Sequence, residues 1–159
     1  QEASIFFFFS VRQNLDLALD QADLTSKECR ARRNQLIDEF NLSEFIDRRG
    51  FQLSGGERRR CEVARALAVG RDGPQYLLLD EPFAGVDPLA VADLQSLIQS
   101  LRHRGMGILI TDHNVRETLA ITDRATILND GAILASGRAE HVSKDPLVRR
   151  YYLGEDFQL

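Results

Sequence analysis

Apolar positions in the first fifty residues follow the period of a helix. Three of them share one side of a helical turn, at positions i, i+1 and i+4: Leu36, Ile37 and Phe40. Two capping boxes, in which a hydroxyl and a side chain three residues on bind each other's backbone amides, mark helix starts: Ser10 with Gln13, and Thr25 with Glu28. The pattern predicts a small, charged helical unit over residues 10–50, with a short polar link and a helical turn over 41–50.

Two later runs are apolar at almost every position: Tyr76–Leu79 and Gly107–Thr111. Strands of a parallel sheet are covered on both faces, so they read as continuous apolar runs rather than as alternating ones. We therefore expect both runs to form fully buried strands of one parallel sheet.

Helices and a hairpin are predicted around these runs. The segment after Ser54 has one apolar helical face: Cys61, Ala64, Leu67 and Ala68. Asp-Pro pairs at 87–88 and 145–146 are typical of helix starts, and Gly105 of a helix end. Asn-Asp-Gly at 129–131 is a hairpin turn signal. From residue 53 onward the order of helix, strand, helix, strand, helix, hairpin and helix predicts an α/β fold.

Composition narrows the class of protein. The 159 residues are 43% hydrophobic and 28% charged, and the net charge of −4 argues against a surface that binds nucleic acid as a whole. Cys29 and Cys61 stand far apart, which favours neither a zinc site nor a disulfide framework and fits a reducing cytosol. No apolar stretch approaches the roughly 20 residues of a membrane span.

Acidic residues follow the first apolar run at the point where open α/β sheets place ligands. Asp80 there can hold Mg²⁺ directly or through water, and Glu81 can polarise a water that attacks a γ-phosphate. His113 follows the second run and can reach the same phosphate if the two strands are neighbours. A short helix with a capping box between Asn114 and Glu117 is expected next. Each motif alone is also typical of an acidic turn or a surface histidine.

Ser54, Gly55 and Gly56 stand at the start of the long helix that carries Cys61. Free amides and a hydroxyl at a helix N-terminus form an anion site, because the helix dipole favours phosphate there. Glycine permits close approach of the backbone. An isolated Ser-Gly-Gly is equally explained as a flexible turn before a helix.

These motifs occur together in one order: LSGGE at 53–57, LLLDE at 77–81, AGVD at 84–87, and His113. In this combination the chain resembles the nucleotide-binding domain of ABC transporters. The resemblance implies a P-loop NTPase fold of the ABC ATPase type, with a parallel-sheet core, a helical subdomain and a C-terminal hairpin and helix.

The resemblance also implies roles for the matching residues. Catalytic roles fall to Glu81, His113 and Gln1, and Mg²⁺ is held by Asp80 and, through water, by Gln1. A further set contacts ATP: Ser54, Gly55, Gly56, Glu57 and Asp87. The implied cofactors are therefore ATP and Mg²⁺.

Within the family, the likeness extends to a narrower group. QEASIF, LSGGERRR, DEPFAGVDP, TDHNVRETLA and the C-terminal YLGEDFQL resemble the ATPases that drive lipopolysaccharide export; the ATPases of branched-chain amino-acid importers share the common motifs and are the alternative. The resemblance implies a homodimer with transmembrane permease subunits docked near Phe6–Phe9 and the helical subdomain. It places the protein on the cytoplasmic face of the inner membrane, without a nucleic-acid partner.

One family motif is absent from the 159 residues, namely the phosphate-gripping GxxxxGK[ST] loop. The chain therefore looks like the C-terminal two-thirds of such a domain, with a loop and helical subdomain over 1–52 and an α/β portion over 53–159. By itself we expect it to be inactive as an ATPase. A non-catalytic module that only binds partners is the alternative of another class, and a soluble ABC ATPase of DNA repair or translation is a third.

The Phe6–Phe9 run departs from the polar or basic residues that the resemblance implies there. Three interpretations stay open: a groove for a helix of the membrane subunit, ordinary packing onto the helical subdomain, or a sequence oddity. The arginines at 58–60 are expected to form a solvated helix face, and contacts with acidic groups of a partner are the alternative.

Overall fold

The computed structural model describes residues 5–154, so Gln1 and the predictions that fall on it lie outside the described residues. The helices described are α1 (Val11–Leu19), α2 (Ser26–Glu39), α3 (Gly55–Leu67), α4 (Pro88–His103), α5 (Val115–Leu119), α6 (Ala139–Val142) and α7 (Pro146–Val148). The strands are β1 (Tyr76–Asp80), β2 (Gly107–Thr111), β3 (Arg124–Asn129) and β4 (Ala132–Arg138). Single 3₁₀ turns cover Ser43–Phe45 and Gly50–Gln52, and a π-helical turn covers Arg149–Leu153.

Spatial contacts divide the chain into two compact units: Gln1–Leu79 with Gly85–Leu109, and Asp80–Ala84 with Ile110–Leu159. The boundary between residues 52 and 53 that the sequence predicts stays a prediction. Both sides of it fall within the first unit, because α1, α2 and α3 belong to one contact group.

The two predicted capping boxes of the first unit are confirmed. Ser10 Oγ accepts from the Gln13 amide at 3.2 Å, and Gln13 Oε1 accepts from the Ser10 amide at 2.9 Å. Thr25 and Glu28 form the second box, with a 2.8 Å bond from the Thr25 amide to the Glu28 carboxylate. The helices α1 and α2 therefore begin where the sequence predicts, since each box satisfies amides that have no acceptor within the helix.

Apolar side chains from each long helix form the core of the first unit. The largest fully buried apolar side chains of this unit are Val11, Leu15, Leu19, Phe40, Leu42, Cys61, Leu94 and Leu101. Full burial of one large aliphatic or aromatic side chain contributes about 1.5–3 kcal/mol relative to its exposure. Among residues 5–154, no helix has the length and apolar character that crossing a membrane requires.

The strands β1 and β2 are neighbours and run parallel, as predicted. In the first unit the Gly107 amide donates to the Gln75 carbonyl at 3.0 Å. In the second unit the Glu81 amide donates to the Thr111 carbonyl at 2.6 Å. Because matching ends of the two strands are joined, the carboxyl ends of both lie side by side.

The expectation that both strands are fully buried is wrong. In β1, Leu77 is buried, but Tyr76 and Leu78 are each 72% exposed, and in β2 Leu109 is 60% exposed. Successive side chains of a strand point to opposite faces, so the exposed positions belong to one face. That face is left open by the described residues.

The second unit is built on the predicted hairpin. The strands β3 and β4 pair antiparallel, from Arg124 opposite Arg138 to Asn129 opposite Ala132. Asp130 and Gly131 both have positive φ, at 47° and 75°, as a type I′ turn requires. The small core of this unit joins β3 to α6 and α7 through three buried side chains: Ile127, Val142 and Val148.

Candidate functional site

The start of α3 is a capped helix N-terminus at the predicted anion site. Ser54 is the N-cap, and its hydroxyl accepts from the Glu57 amide at 3.3 Å. The Glu57 carboxylate accepts from the Ser54 amide at 2.8 Å. Glu57 is therefore a capping residue in this structure, held further by an ion pair with Arg48 at 3.2 Å. The roles in ATP binding that the resemblance implies for this segment stay predictions.

The two glycines of the segment are required by close packing. A Cβ on Gly55 would lie 2.6 Å from the carbonyl oxygen of Gly85, and a Cβ on Gly56 would lie 2.5 Å from the Cβ of Ala90. Both contacts lie within the first unit, where α3 begins against the segment that leads into α4. Asp87 caps α4 by accepting from the Ala90 amide at 3.0 Å. The glycines thus have a packing role in addition to the phosphate approach that the sequence suggests.

The arginines after this segment do not form a free solvated face. The Arg58 guanidinium lies over the Phe7 ring at 5.2 Å, and the Arg60 guanidinium over the Phe45 ring at 5.3 Å. Arg59 forms a 2.6 Å ion pair with the Glu62 carboxylate. The expectation of a solvated face fails because Phe7 and Phe45 are distant in sequence, whereas the i,i+3 pair of Arg59 with Glu62 lies within the helix.

A polar site, the strand-end site, lies at the carboxyl ends of β1 and β2, within the second unit. It comprises Asp80, Glu81, Asp112 and His113. The Thr111 hydroxyl donates to Asp80 Oδ1 at 2.5 Å. Glu81 has a φ of 45°, a left-handed backbone conformation that costs a residue with a side chain about 1–3 kcal/mol. Such strain persists only where the surroundings hold it, and here the Glu81 amide is bonded to the Thr111 carbonyl.

His113 faces Glu81 across this site. The distance from His113 Nδ1 to Glu81 Oε1 is 3.5 Å, and the two side chains are 63% and 41% exposed. The condition set by the sequence, that the two strands be neighbours, is therefore met. Both side chains are open to a ligand and close enough to act on one water molecule.

Asp112 is the residue of this site that sequence reasoning missed. Its side chain is fully buried. One carboxylate oxygen accepts from the Phe83 amide at 3.0 Å and the other from the Asn114 amide at 2.7 Å. The Asp112 carboxylate thus ties the turn after Glu81 to the turn that contains His113. A signal was available in the sequence, because Asp112 directly follows an apolar run. Sequence reasoning applied that signal only to the run that ends before Asp80.

The predicted capping box of α5 does not form. Asn114 is the N-cap, but its side chain makes no capping hydrogen bond. The Asn114 amide instead donates to the buried Asp112 carboxylate. The amide that the box needs is thus already bonded to a carboxylate two residues earlier in the chain, so the box with Glu117 does not close.

The donor set of this site fits Mg²⁺ that is bound together with a nucleotide. No group of three or more His, Cys, Asp or Glu side chains suited to a metal occurs among residues 5–154. Mg²⁺ is commonly held by one or two carboxylates plus the oxygens of phosphates and water, and Asp80 and Glu81 supply carboxylates at one place. A nucleotide would have to complete the coordination.

A second candidate surface is the aromatic turn, defined as Phe6–Phe9, in the first unit. Its four rings are between 37% and 78% exposed, and Phe51 beside it is 53% exposed. The Phe8 and Phe51 rings lie 6.3 Å apart, and Arg65 lies over the Phe6 ring at 5.3 Å. The turn is therefore not ordinary buried packing, since its rings face outward beside arginines.

Comparison with known proteins agrees with these features. The family profile described as ABC transporter matches residues 1–84. The lipopolysaccharide export system ATP-binding protein LptB of Haemophilus influenzae is 53% identical over 160 residues, and that of Escherichia coli K12 is 51% identical. In both alignments all of this chain is covered, and the chain spans 65% of the relative's length.

Solved structures share the fold. CbiO1 of Clostridium perfringens, part of an ABC transporter complex, matches 92% of this chain and 57% of its own, with a TM-score of 0.78 and 25% identity. The ATP-binding cassette MJ0796, a dimer bound to ADP and phosphate, matches 87% of this chain and 60% of its own, with a TM-score of 0.73 and 23% identity. The strand-end carboxylates, the capped glycine segment and these matches agree, and the chain belongs to the ABC transporter family.

Proposed function

We propose that this chain is part of the ATP-hydrolysing subunit of an ABC transporter that exports lipopolysaccharide. The observation that carries the proposal is 53% identity, over the whole chain, to a lipopolysaccharide export ATP-binding protein. The geometry of the strand-end site supports the hydrolytic part, because a carboxylate and a histidine lie 3.5 Å apart at the place where nucleotide would bind. The importer ATPases of branched-chain amino acids remain the alternative on shared motifs alone.

In the proposed mechanism, Glu81 accepts a hydrogen bond, and then the proton, from the water that attacks the γ-phosphate; the bond from that phosphorus to the bridging oxygen breaks, and ADP leaves with the oxygen. His113, whose Nδ1 lies 3.5 Å from Glu81 Oε1, would contact that water from the same side as Glu81 and orient it towards the phosphate. Asp112 holds the backbone on both sides, so the Glu81 carboxylate and the imidazole keep their separation. Mg²⁺, when bound, neutralises phosphate charge, and Asp80 is the side chain that would hold it.

A second copy of the protein is part of the proposal. The start of α3, with Ser54, Gly55 and Gly56, serves the nucleotide held by that copy, because its helix N-terminus favours an anion. The family resemblance supports this head-to-tail arrangement. The 159 residues contain no GxxxxGK[ST] sequence, so on this proposal the loop that grips the phosphates comes from a segment other than these residues. A partner-binding module without activity is accordingly the second candidate for the chain by itself.

The aromatic turn is the proposed contact with a transmembrane subunit. An exposed cluster of phenylalanines flanked by arginines fits an amphipathic helix that brings apolar side chains. Such a contact would hold the protein at the cytoplasmic face of the inner membrane. It would also link the ATPase to its transporter.

The export function is tested with a chimera of Escherichia coli K12 LptB, in which the 160 matching residues are replaced by this chain. In a strain whose own LptB is removed, we expect the chimera to restore lipopolysaccharide at the cell surface. The chimera with Glu81→Gln serves as the inactive control. Restored ATP hydrolysis without restored export would reject the lipopolysaccharide assignment.

The account of the isolated chain has its own test. We expect the 159-residue chain to show no binding of Mg-ATP in equilibrium dialysis at millimolar nucleotide, because the phosphate loop is not among its residues. Clear binding would mean that the site is complete without that loop. The division of the site between two segments would then be wrong.

A further inference from the structure

Asn14 is a fully buried polar residue outside the strand-end site. It lies in the second turn of α1, and its side chain points at the aromatic turn. Its Oδ1 accepts from the Phe6 amide at 2.8 Å, and its Nδ2 donates to the Phe6 carbonyl at 3.1 Å. Nδ2 also donates to the Ser10 carbonyl at 3.0 Å and reaches the Phe9 carbonyl at 3.4 Å.

This bonding pattern requires a carboxamide. Phe6 offers both a donor and an acceptor to Asn14, so the side chain must accept and donate at once. Aspartate would keep the bond to the Phe6 amide but lose the donor hydrogens. An aliphatic residue would lose both and leave backbone groups of the turn without these partners. The identity of the residue is therefore tied to the shape of the aromatic turn.

The opposite side of the turn is fixed by a second segment. The Gly50 amide donates to the Phe9 carbonyl at 3.0 Å, and the Phe51 amide donates to the Phe7 carbonyl at 3.1 Å. A Cβ on Gly50 would come within 2.9 Å of the Phe7 Cα, so the two segments are in close contact. The main chain of the turn is thus held from both sides.

A fixed main chain with exposed rings is the arrangement expected of a preformed binding surface. A flexible run of four phenylalanines would collapse on itself, and ordering it on binding would reduce affinity. Here the rings stay between 37% and 78% exposed although the backbone beneath them is bonded.

We propose that Asn14 is a positioning residue that keeps the aromatic turn in the shape that receives a helix of the transmembrane subunit. The inference rests on the proposed function, because the docking itself belongs to that proposal. It adds the residue on which the docking geometry depends. Asn14 acts through the backbone of Phe6 and Phe9 and does not itself touch the partner.

The first experiment measures the turn directly, by limited chymotrypsin cleavage of the full 159-residue chain with cleavage sites mapped by mass spectrometry. We expect Asn14→Ala to speed cleavage at Phe6–Phe9 at least 10-fold. Leu19→Ala is the matched control, because Leu19 is buried in the same helix and its aliphatic side chain forms no hydrogen bonds with the turn. Rates are compared at equal free energy of unfolding, set with urea.

The contrary result is cleavage within the turn that is no faster in Asn14→Ala than in Leu19→Ala. If Asn14→Ala does not fold, Asn14→Asp takes its place, because it keeps the shape and the bond from the Phe6 amide. Its cleavage rate should exceed that of the unmodified chain, because a buried carboxylate would face the Phe6, Phe9 and Ser10 carbonyls without a donor hydrogen. A rate equal to that of the unmodified chain would overturn the inference.

The second experiment separates the positioning role from the docking. In the Escherichia coli chimera, retention on salt-washed inner membranes is measured for Asn14→Ala, Leu19→Ala and Phe8→Ser. We expect Asn14→Ala and Phe8→Ser each to lose at least 10-fold in retention, and Leu19→Ala to keep it. Full retention of Phe8→Ser would reject the docking surface itself. Loss in Phe8→Ser with full retention in Asn14→Ala would reject only the role of Asn14.

Discussion

The strand-end site and the aromatic turn are both held in place by one buried polar side chain, but they differ in how that residue relates to the motif. At the strand-end site the holding residue, Asp112, stands next to His113 in sequence. At the aromatic turn the holding residue, Asn14, lies on the helix that follows the turn, and Gly50 completes the support from far along the chain. Both places are held by bonds to the backbone of another segment; the holding residue belongs to the motif at the strand-end site, whereas it lies outside the motif at the aromatic turn.

Among the substitutions that test this comparison, Glu81→Gln is expected to have the largest effect, a loss of ATPase activity at the strand-end site. A positioned general base contributes about 10²–10⁴-fold, so we expect kcat of the chimera's ATPase to fall by about that factor with KM little changed. Glu44→Gln is the control, since Glu44 is exposed in a 3₁₀ turn of the first unit. A loss below threefold in Glu81→Gln would remove Glu81 from the catalytic role.

Asp112→Ala tests whether the buried carboxylate holds the site. The substitution removes the carboxylate that accepts from the Phe83 and Asn114 amides, and each hydrogen bond to such a charged group contributes about 1.5–3 kcal/mol. The free energy of unfolding and kcat should therefore both fall. Asp130→Asn is the control in the hairpin turn, because Asn also accepts the left-handed conformation that Asp130 adopts. Unchanged stability together with unchanged kcat would show that the two turns do not depend on Asp112.

Gly55→Ala separates two reasons for a glycine at this position: close packing against the Gly85 carbonyl and close approach of a phosphate to the backbone. The added Cβ meets the Gly85 carbonyl at 2.6 Å, so the isolated chain should lose about 1–3 kcal/mol of unfolding free energy even without nucleotide. In Gly137→Ala the nearest atom lies 3.9 Å away, and little change is expected. Urea titration gives the free energies of unfolding of Gly55→Ala, Gly137→Ala and the unmodified chain for comparison. Equal stability of Gly55→Ala and the unmodified chain would leave nucleotide contact as the reason for the glycine.

Cys61 gives the smallest expected effect, and it depends on pH. Burial raises the pKa of the Cys61 thiol to about 12, with the nearby Glu62 carboxylate adding to the rise. The folded chain therefore holds this proton more tightly than the unfolded chain, whose thiol has a pKa of about 8.5. The resulting stability is fully present below pH 8.5 and declines as the pH rises towards 12. Unfolding free energies between pH 7.5 and 10 should decline less steeply for Cys61→Ala; an identical slope would contradict the assignment.

Local signals account for what the sequence predicted correctly. Capping boxes at Ser10 and Thr25 act within four residues, and the Asn-Asp-Gly turn within three, so neither depends on the rest of the fold. The parallel pairing of β1 and β2 followed from apolar runs that alternate with helices.

Most failures of prediction are non-local; the capping box of α5 is a local exception, since Asp112 takes the Asn114 amide from two residues away. The exposure of Tyr76 and Leu109 depends on which segments cover one face of the strands. An apolar run in the sequence does not show whether such a covering segment is present. The buried roles of Asp112 and Asn14 depend on backbone amides and carbonyls that need partners, which residue identity alone does not display. The site residues were found by motif, and the residues that hold them only by geometry.

The most direct test of the central claim is the oligomeric state of the Glu81→Gln chimera with Mg-ATP, measured by sedimentation. If Glu81 activates the attacking water between two copies of the protein, ATP stays unhydrolysed and holds the copies together, so a dimer containing ATP is predicted. The same protein without nucleotide should sediment as a monomer. A Glu81→Gln chimera that remains monomeric with bound ATP, or that still hydrolyses ATP at the unmodified rate, would contradict the account.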